Sequence, residues 1–304
     1  MQAILQENNQ GIDSIKTATM TQPTGSLLGT LVNVNYVPVL PWDMKGERGE
    51  LGTIENRNLP HIIGYGFAGT KYHSNSANQQ SRPRLMGAAP QGSYAEVINA
   101  SIPFYTFKVP DNVTLPQAAT VIGGADTALM MIEATHVTPT TKVLVLGGSG
   151  GIGTYLIQLL NNLHVQFSVL SSVRSVDFTR TIRSGIDVHT DLNELNDDAF
   201  DLILDTTGSE TLLNAAANKV VTNGLIFTSA LPFYRSPRPD VKAVFKNRPL
   251  SPAKYQHLLK LISTGQLTPM IDKIFPLDQV REAQHYAEDG PSRGRVLVEV
   301  KAEN

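Results

Sequence analysis

The chain has 304 residues, enough for roughly two domains. Hydrophobic residues make up 41% of it and charged residues 17%, which is typical of folded globular proteins. A net charge of -2 gives no broad positive field and argues against nucleic-acid binding, while the absence of cysteine excludes disulfides and cysteine-ligated metals. We find no signal peptide and no apolar run long enough to span a bilayer, so we expect a cytoplasmic protein without a membrane partner.

The first third of the chain is predicted to form a compact β-rich domain. Short β-like runs, such as residues 27–40 and 93–98, are separated by Gly, Pro and Asn clusters at close spacing. The polar stretch 74–81 indicates a mobile loop.

From about residue 115, predicted helices and strands alternate. Apolar spacing predicts helices over residues 118–135, 154–163 and 253–265. Buried strands are predicted over residues 142–148, 166–172, 200–208 and 224–232. This order is typical of an α/β fold with a parallel sheet covered on both faces. The tail, 269–300, reads as strand, helix and strand, and its periodicity leaves open whether it extends this sheet or returns to the first domain.

A glycine-rich segment lies where a predicted strand meets a predicted helix. Gly148, Gly150 and Gly153 have the GxGxxG spacing, which provides a tight turn, close backbone approach to a pyrophosphate and close helix packing. The helix N-terminus would then meet the negative charge. We therefore expect these residues to contact a dinucleotide: Gly147, Gly148, Ser149, Gly150, Gly151, Ile152 and Gly153.

The same segment also has the GxxxGxG spacing of short-chain dehydrogenases. Two features count against that family. The loop lies in the middle of the chain, and none of the nine tyrosines is followed by lysine in a YxxxK motif.

The end of the next strand predicts which dinucleotide binds. An acidic residue there would hold the ribose 2′-hydroxyl of NAD, but the chain has Ser171, Ser172 and Arg174 instead. A guanidinium suits a 2′-phosphate, so we expect NADPH, although Asp177 follows closely.

Eight segments of the chain together match one known family in their order and spacing: 43–49, 64–69, 87–97, 124–129, 147–153, 205–212, 262–277 and 294–300. Through these segments the chain resembles the zinc-free quinone oxidoreductase (zeta-crystallin-like) branch of the medium-chain dehydrogenase/reductase superfamily. The resemblance implies a GroES-like β-rich catalytic domain over 1–114, a Rossmann NADPH-binding domain with a doubly wound parallel sheet over 115–266, and a C-terminal segment, 267–304, that returns to the catalytic domain. It also implies a homodimer.

The resemblance extends the expected cofactor site beyond the glycine loop. Thr127 matches the threonine on the nicotinamide side, and Ser229, Ala230 and Leu231 match the loop that faces the carboxamide. Thr207 lies in the matching DTTG segment and joins this expected set.

Departures from the superfamily concern metal and substrate. Zinc-dependent alcohol dehydrogenases carry GHE where this chain has Gly64, Tyr65 and Gly66, and they use cysteines that are absent here. The seven histidines have no ligand-like spacing, so we expect no metal site. Leu40 stands where quinone reductases usually place an asparagine near the nicotinamide.

Without a metal, the acceptor should carry its own means of stabilising charge. A quinone or an α,β-unsaturated carbonyl delocalises the charge that hydride brings, so positioning and hydrogen-bond donors suffice. We expect Tyr65, Lys45 and Thr127 to line the reaction cleft, with Lys45 or Tyr65 donating to the carbonyl oxygen. The alternatives are a packed aromatic for Tyr65 and a solvated surface charge for Lys45.

These observations predict an NADPH-dependent oxidoreductase that reduces a quinone or a similar conjugated carbonyl. An alkenal or enone reductase acting on the C=C bond is the main alternative. The departure at Leu40 also leaves open a non-catalytic NADPH-binding sensor.

Overall fold

A computed structural model describes residues 1–51, 58–72, 82–102, 104–291 and 293–302. The loop predicted over 74–81 lies outside these described residues. Within them, no helix has the length and apolar character needed to cross a membrane.

The described residues form sixteen strands and eight α-helices. The strands are β1 (Gln2–Gln6), β2 (Lys16–Thr19), β3 (Thr30–Pro38), β4 (His61–Ile62), β5 (Gly66–Lys71), β6 (Arg84–Ala88), β7 (Val97–Ala100), β8 (Thr106–Lys108), β9 (Lys142–Leu146), β10 (Gln166–Leu170), β11 (Asp187–His189), β12 (Phe200–Asp205), β13 (Val220–Thr228), β14 (Lys242–Phe245), β15 (Ile271–Pro276) and β16 (Arg295–Glu299). The helices are α1 (Pro41–Glu47), α2 (Leu115–Ala119), α3 (Asp126–Thr135), α4 (Gly153–Asn162), α5 (Val176–Ile182), α6 (Glu210–Ala216), α7 (Pro252–Ser263) and α8 (Val280–Asp289).

The predicted parallel sheet is confirmed. Its six strands have the order β11-β10-β9-β12-β13-β14, and every pairing is parallel. The order reverses beside β9, so the loops after β9 and β12 leave the same edge of the sheet and diverge. A crevice at such a switch point is where α/β sheets bind ligands.

The tail of the chain returns to the β-rich part. Strands β15 and β16 join a seven-stranded sheet of order β15-β16-β3-β5-β6-β8, with β7 also paired to β3. Val298 of β16 lies opposite Val37 of β3 in an antiparallel ladder. A separate small sheet has the order β2-β1-β4. The GroES-like and Rossmann parts expected from the resemblance are thus both present, whereas the boundaries at 114 and 266 stay a prediction.

One hydrophobic cluster runs through both large sheets. It includes Met86 and Leu297 from the mixed sheet, Val145 from the parallel sheet, and Ile122 between them. Because the core is continuous across this contact, the sheets hold a fixed wall on each side of the crevice.

The single helix predicted over 118–135 is wrong in one respect. The chain leaves helical geometry between α2 and α3, where Ile122 has ψ of 127° and Gly123 has φ of +67°. A Cβ on Gly123 would lie 2.6 Å from the Leu40 side chain, so glycine allows the close approach. Apolar spacing continues through the break, which is why periodicity alone does not reveal it.

Candidate active site

The chain reverses direction sharply between β9 and α4. Gly147 follows β9 with φ of +85°, a left-handed conformation that glycine adopts without strain. A Cβ on Gly153, the first residue of α4, would fall well inside van der Waals distance of the Gly147 carbonyl oxygen. A Cβ on Gly148 would collide with the Val169 side chain. The turn therefore depends on glycine at these positions.

A cleft of about 510 Å³, here called the glycine cleft, opens above this loop. A Cβ on Gly147 would lie 2.6 Å from Thr206 Oγ1, so glycine keeps the cleft open between two loops. The N-terminus of α4 lies at the end of this loop, where the helix dipole favours a negatively charged group. A dinucleotide diphosphate fits this floor. Nine of the predicted cofactor residues line the cleft: Gly147, Ser149, Gly150, Gly151, Ile152, Ser171, Ser172, Arg174 and Thr207.

Hydrogen bonds to Asp205 fix the position of the loop after β12. This buried carboxylate accepts hydrogen bonds from the Thr207 amide (2.9 Å), the Thr207 hydroxyl (2.6 Å) and the Thr228 hydroxyl (2.8 Å). It therefore ties the loop of the glycine cleft to the end of β13. Asp205 opens the DTTG segment but was not among the predicted site residues.

Arg174 lies at the exposed end of the glycine cleft. Its Nη1 donates to the Asp289 carbonyl oxygen over 3.3 Å, at the end of α8. Ser171 is buried, and its hydroxyl pairs with Thr179 Oγ1 at 2.8 Å, so it braces the strand end. Asp177 pairs with Arg180 at 3.6 Å on α5 and does not line the cleft. The guanidinium thus remains the charged group at the predicted phosphate position.

A second cleft of about 550 Å³ adjoins the first, and we call it the tyrosine cleft after Tyr65 and Tyr255 in its wall. Pro41, Ile152 and Thr206 line both clefts. The two cavities therefore share part of their wall, and a ligand extending along the glycine cleft would come close to the tyrosine cleft at this junction.

All three predicted catalytic residues line the tyrosine cleft. Lys45 is half-buried, and its Nζ donates to the Ala230 carbonyl oxygen over 2.9 Å, which links α1 to the loop after β13. Tyr65 packs partly against the hydrophobic core while it faces the cleft. Thr127 and Ser229 also line this cavity. Lys45 is therefore held across the cleft rather than being freely solvated.

Three predicted cofactor residues line neither cleft. Gly148 and Gly153 lie beneath the loop, where they allow close packing, and Leu231 packs against the hydrophobic cluster around Leu213. Their expected direct contact with a cofactor stays a prediction, whereas the structure assigns the two glycines a packing role.

The wall of the tyrosine cleft contains an acidic residue that sequence reasoning missed. Asp126 begins α3, and its Oδ1 accepts hydrogen bonds from the Thr127 amide (2.6 Å) and hydroxyl (3.2 Å). Its Oδ2 accepts from the Tyr255 hydroxyl at 3.3 Å. Burial raises the pKa of the Asp126 carboxyl from 3.8 to about 6, and the hydrogen bonds from Thr127, Gly123 and Tyr255 oppose this shift. No sequence motif marks Tyr255 as a site residue, because it lies within an amphipathic helix far along the chain.

Apolar groups form another part of this wall. Trp42 of α1 stacks on Phe245 of β14, with ring centroids 6.3 Å apart and planes 14° apart. Leu40, at the position of the expected asparagine, also lines the cleft. A flat apolar ligand would find matching surfaces here.

The Arg295 side chain forms hydrogen bonds with both sides of the crevice. Its buried guanidinium donates to the Val39 carbonyl oxygen over 3.0 Å and also to the Gly123 carbonyl oxygen. The preceding residue, Gly294, donates its amide to the Ser149 carbonyl oxygen over 2.8 Å. Burial lowers the pKa of Arg295 from its ordinary value. The tail thus supports the glycine loop directly.

Comparison with known proteins agrees with this geometry. A family model described as zinc-binding dehydrogenase matches residues 169–298. The NADPH-dependent alkenal/one oxidoreductase of Arabidopsis thaliana chloroplasts is 23% identical over 98% of this chain and 79% of that protein. The quinone oxidoreductase from Coxiella burnetii has the same fold, with a TM-score of 0.82 at 22% identity over 99% of each chain. A mycobacterial protein solved with NADPH gives a TM-score of 0.82 at 21% identity, over 99% of this chain and 100% of that one.

These similarities agree with the medium-chain dehydrogenase/reductase superfamily that the sequence motifs predict. The resemblance to its quinone oxidoreductase-like branch, inferred from sequence motifs, is confirmed. The relatives and neighbours named above are described as oxidoreductases, which is the class that the sequence motifs predict for this chain.

The position that carries GHE in zinc-dependent members of the superfamily is occupied here by Gly64, Tyr65 and Gly66. Tyr65 points its side chain toward the tyrosine cleft instead of offering an imidazole ligand. Among the residues that the structure describes, no group of three or more His, Asp or Glu side chains is arranged to hold a metal ion.

Proposed function

We propose that this oxidoreductase transfers hydride from NADPH to a quinone or a similar conjugated carbonyl, without catalytic zinc. The wall that the glycine and tyrosine clefts share at Pro41, Ile152 and Thr206 is the observation that carries the proposal. A dinucleotide held over the glycine loop would reach the tyrosine cleft at this junction, where an acceptor has room beside it.

NADPH is the cofactor, as expected from Arg174 in the sequence, and when bound it supplies the hydride. The Arabidopsis relative is named for NADPH dependence, and a mycobacterial neighbour of the same fold was solved with NADPH. The residues of this chain bind NADPH and orient it. The N-terminus of α4 would hold the diphosphate, Arg174 would pair with the 2′-phosphate, and Thr127 would lie on the nicotinamide side.

The composition of the tyrosine cleft favours a conjugated acceptor. Trp42, Tyr65 and Leu40 offer flat and apolar surfaces, and the chain has no cysteine or GHE segment for a catalytic zinc site. A conjugated carbonyl spreads the incoming charge over its own atoms, so the residues need only hold it and donate hydrogen bonds to its oxygen. Lys45 and Tyr65 are the proposed donors to its oxygen, with the Lys45 ammonium oriented by Ala230.

Reduction of the C=C bond of an alkenal or enone is a second candidate. The named substrates of two relatives favour it: one is an alkenal/one oxidoreductase and another, from Solanum lycopersicum, is a 2-methylene-furan-3-one reductase. The same cleft serves either acceptor. A cytoplasmic location and a homodimer stay predictions, and light scattering of the purified chain tests the dimer.

Turnover assays with purified protein test the proposal. We expect NADPH oxidation in the presence of benzoquinone or methyl vinyl ketone, retained after treatment with a metal chelator. Gly151→Val is the matched negative control, because a Cβ at Gly151 already lies 2.5 Å from the Arg295 guanidinium carbon. Tight NADPH binding without oxidation by any quinone or enone would support a non-catalytic sensor instead. Loss of activity with the chelator would overturn zinc independence.

A further inference from the structure

The reduction proposed above consumes a proton, and the tyrosine cleft contains acidic groups that no step has yet used. Among the described residues, Asp43 and Asp126 are the carboxylic acids in its wall. Asp43 is only 8% exposed, whereas Asp126 is half-buried and adjoins Thr127, the predicted nicotinamide contact. Asp126 is thus the acid better placed to reach a bound acceptor.

The surroundings of Asp126 hold its carboxyl group in one orientation. The Thr127 amide and hydroxyl donate hydrogen bonds to Oδ1, and the Tyr255 hydroxyl donates one to Oδ2. Tyr255 is itself fixed, because its ring stacks on Phe107 with centroids 4.8 Å apart and planes 18° apart. The anchoring groups are neutral donors, so they position the carboxyl group without forming an ion pair with it.

The titratable groups that face Asp126 come from three other elements. They are Tyr255 of α7, Tyr155 of α4 and Arg295 of β16. The positive charge of Arg295 interacts with Asp126 at longer range. The Arg295 guanidinium donates instead to the Val39 and Gly123 carbonyl oxygens. Burial dominates over these interactions and raises the pKa of Asp126 to about 6, so a proton-bearing fraction persists near neutral pH.

We propose that Asp126, oriented by Tyr255 and Thr127, is the acid that protonates the reduced acceptor, an assignment that rests on the function proposed above. Hydride adds to the acceptor, and the π electrons move onto its carbonyl oxygen, which gives an enolate or a hydroquinone anion. The O–H bond of Asp126 then breaks and its proton goes to that anion. Asp126 is left as a carboxylate, which water in the open cleft reprotonates.

A titration of the cofactor-free protein tests the acid itself. We expect the infrared carbonyl band of the Asp126 carboxyl to disappear with a midpoint near pH 6 and to be missing from Asp126→Asn. Glu47→Gln is the matched control, because Glu47 is a second buried carboxyl whose pKa burial raises to about 7, and it lines neither cleft. That variant should keep the Asp126 band. Titration of Asp126 near its ordinary value of 3.8 would overturn the proposal.

Kinetics of the NADPH-loaded enzyme provide the second test. The acid must be protonated to act, so we expect kcat to fall as pH rises through about 6 in the wild type. Asp126→Asn should lower kcat by about 100-fold or more and flatten the profile, with NADPH affinity unchanged. Asp126→Glu should restore part of the pH dependence. Tyr255→Phe removes a hydrogen bond that lowers the pKa of Asp126, so it should move the midpoint to higher pH.

The outcomes separate this assignment from the proposed function. If the wild type reduces quinones or enones and Asp126→Asn has the same kcat and pH profile, the assignment is wrong and the proposed function stands. If the wild type reduces no acceptor, both are wrong. A purely structural role for Asp126 would lower NADPH affinity and thermal stability together, while Asp126→Glu would leave the pH profile flat.

Discussion

Arg174 illustrates how one side chain can decide between two cofactors. The strand end before it provides Ser171 instead of an acidic residue, and Ser171 turns its hydroxyl inward to Thr179. The guanidinium lies at the exposed end of the glycine cleft, donates a hydrogen bond of 3.3 Å to the Asp289 carbonyl oxygen, and forms no ion pair with any residue that the structure describes. It can therefore turn toward a phosphate without breaking an ion pair.

We expect Arg174→Glu to weaken NADPH binding on the order of tenfold to a hundredfold, and to change NADH binding much less. The substitution replaces an attractive charge with a repulsive one at the 2′-phosphate, which NADH lacks. Fluorescence titration with both dinucleotides measures the difference. Arg180→Glu is the control, because Arg180 is exposed on α5 and does not line the cleft. An equal loss for both cofactors would show that Arg174 does not distinguish them.

At the scale of elements, the contact between the glycine loop and α4 determines the shape of the cofactor floor. Gly153 begins the helix directly against the Gly147 carbonyl oxygen, so the two backbones touch without an intervening side chain. A larger residue would push α4 away from β9, and the N-terminus of the helix would no longer point at the diphosphate.

Gly153→Ala should therefore reduce both stability and cofactor affinity. Overpacking at such a site costs about 1–3 kcal/mol, and the displaced helix should bind NADPH at least about tenfold more weakly. Urea denaturation and NADPH titration measure the two effects. Gly25→Ala is the matched control, since the nearest atom to a Cβ there lies at an ordinary 3.7 Å. Wild-type values for Gly153→Ala would mean that α4 tolerates the displacement.

The break between α2 and α3 also positions a residue of the site. If the helix continued through 121–125, Asp126 would not begin a new helix beside Tyr255. The approach of Gly123 to Leu40 is a contact between residues far apart in the chain, so local spacing could not predict it.

At the scale of the whole molecule, the C-terminal strand connects the two walls of the crevice. β16 pairs with β3, and its first residue, Arg295, reaches carbonyl oxygens of both Val39 and Gly123. The guanidinium also lies directly beneath Gly151. One buried side chain thus contacts the β-rich part, the helix break and the cofactor loop.

Arg295→Met should lower the free energy of unfolding by about 2 kcal/mol, because two buried carbonyl oxygens lose their donor while the buried charge is relieved. NADPH affinity should fall as well, since the glycine loop loses its support. Urea denaturation and cofactor titration test this, with the exposed neighbour in Arg293→Met as the control. Unchanged stability would indicate that the two carbonyl oxygens find other donors.

The sequence by itself determined the class of fold and the position of the cofactor loop. Alternating buried strands and amphipathic helices, together with glycines at fixed spacing, are local signals that arise from the period of each element and from the space a Cβ would need. They predicted the parallel sheet and the turn at Gly147. Motif order also pointed to Lys45, Tyr65 and Thr127, all of which line one cleft.

Only the tertiary structure decided which side chains meet in that cleft. Asp126 and Tyr255 are 129 positions apart, and Arg295 lies 172 positions from Gly123. Such contacts depend on how the sheets, the helix break and the returning tail pack against one another. The elevated pKa of Asp126 arises from the same packing, because burial is a property of the assembled core and not of the residue's neighbours in sequence.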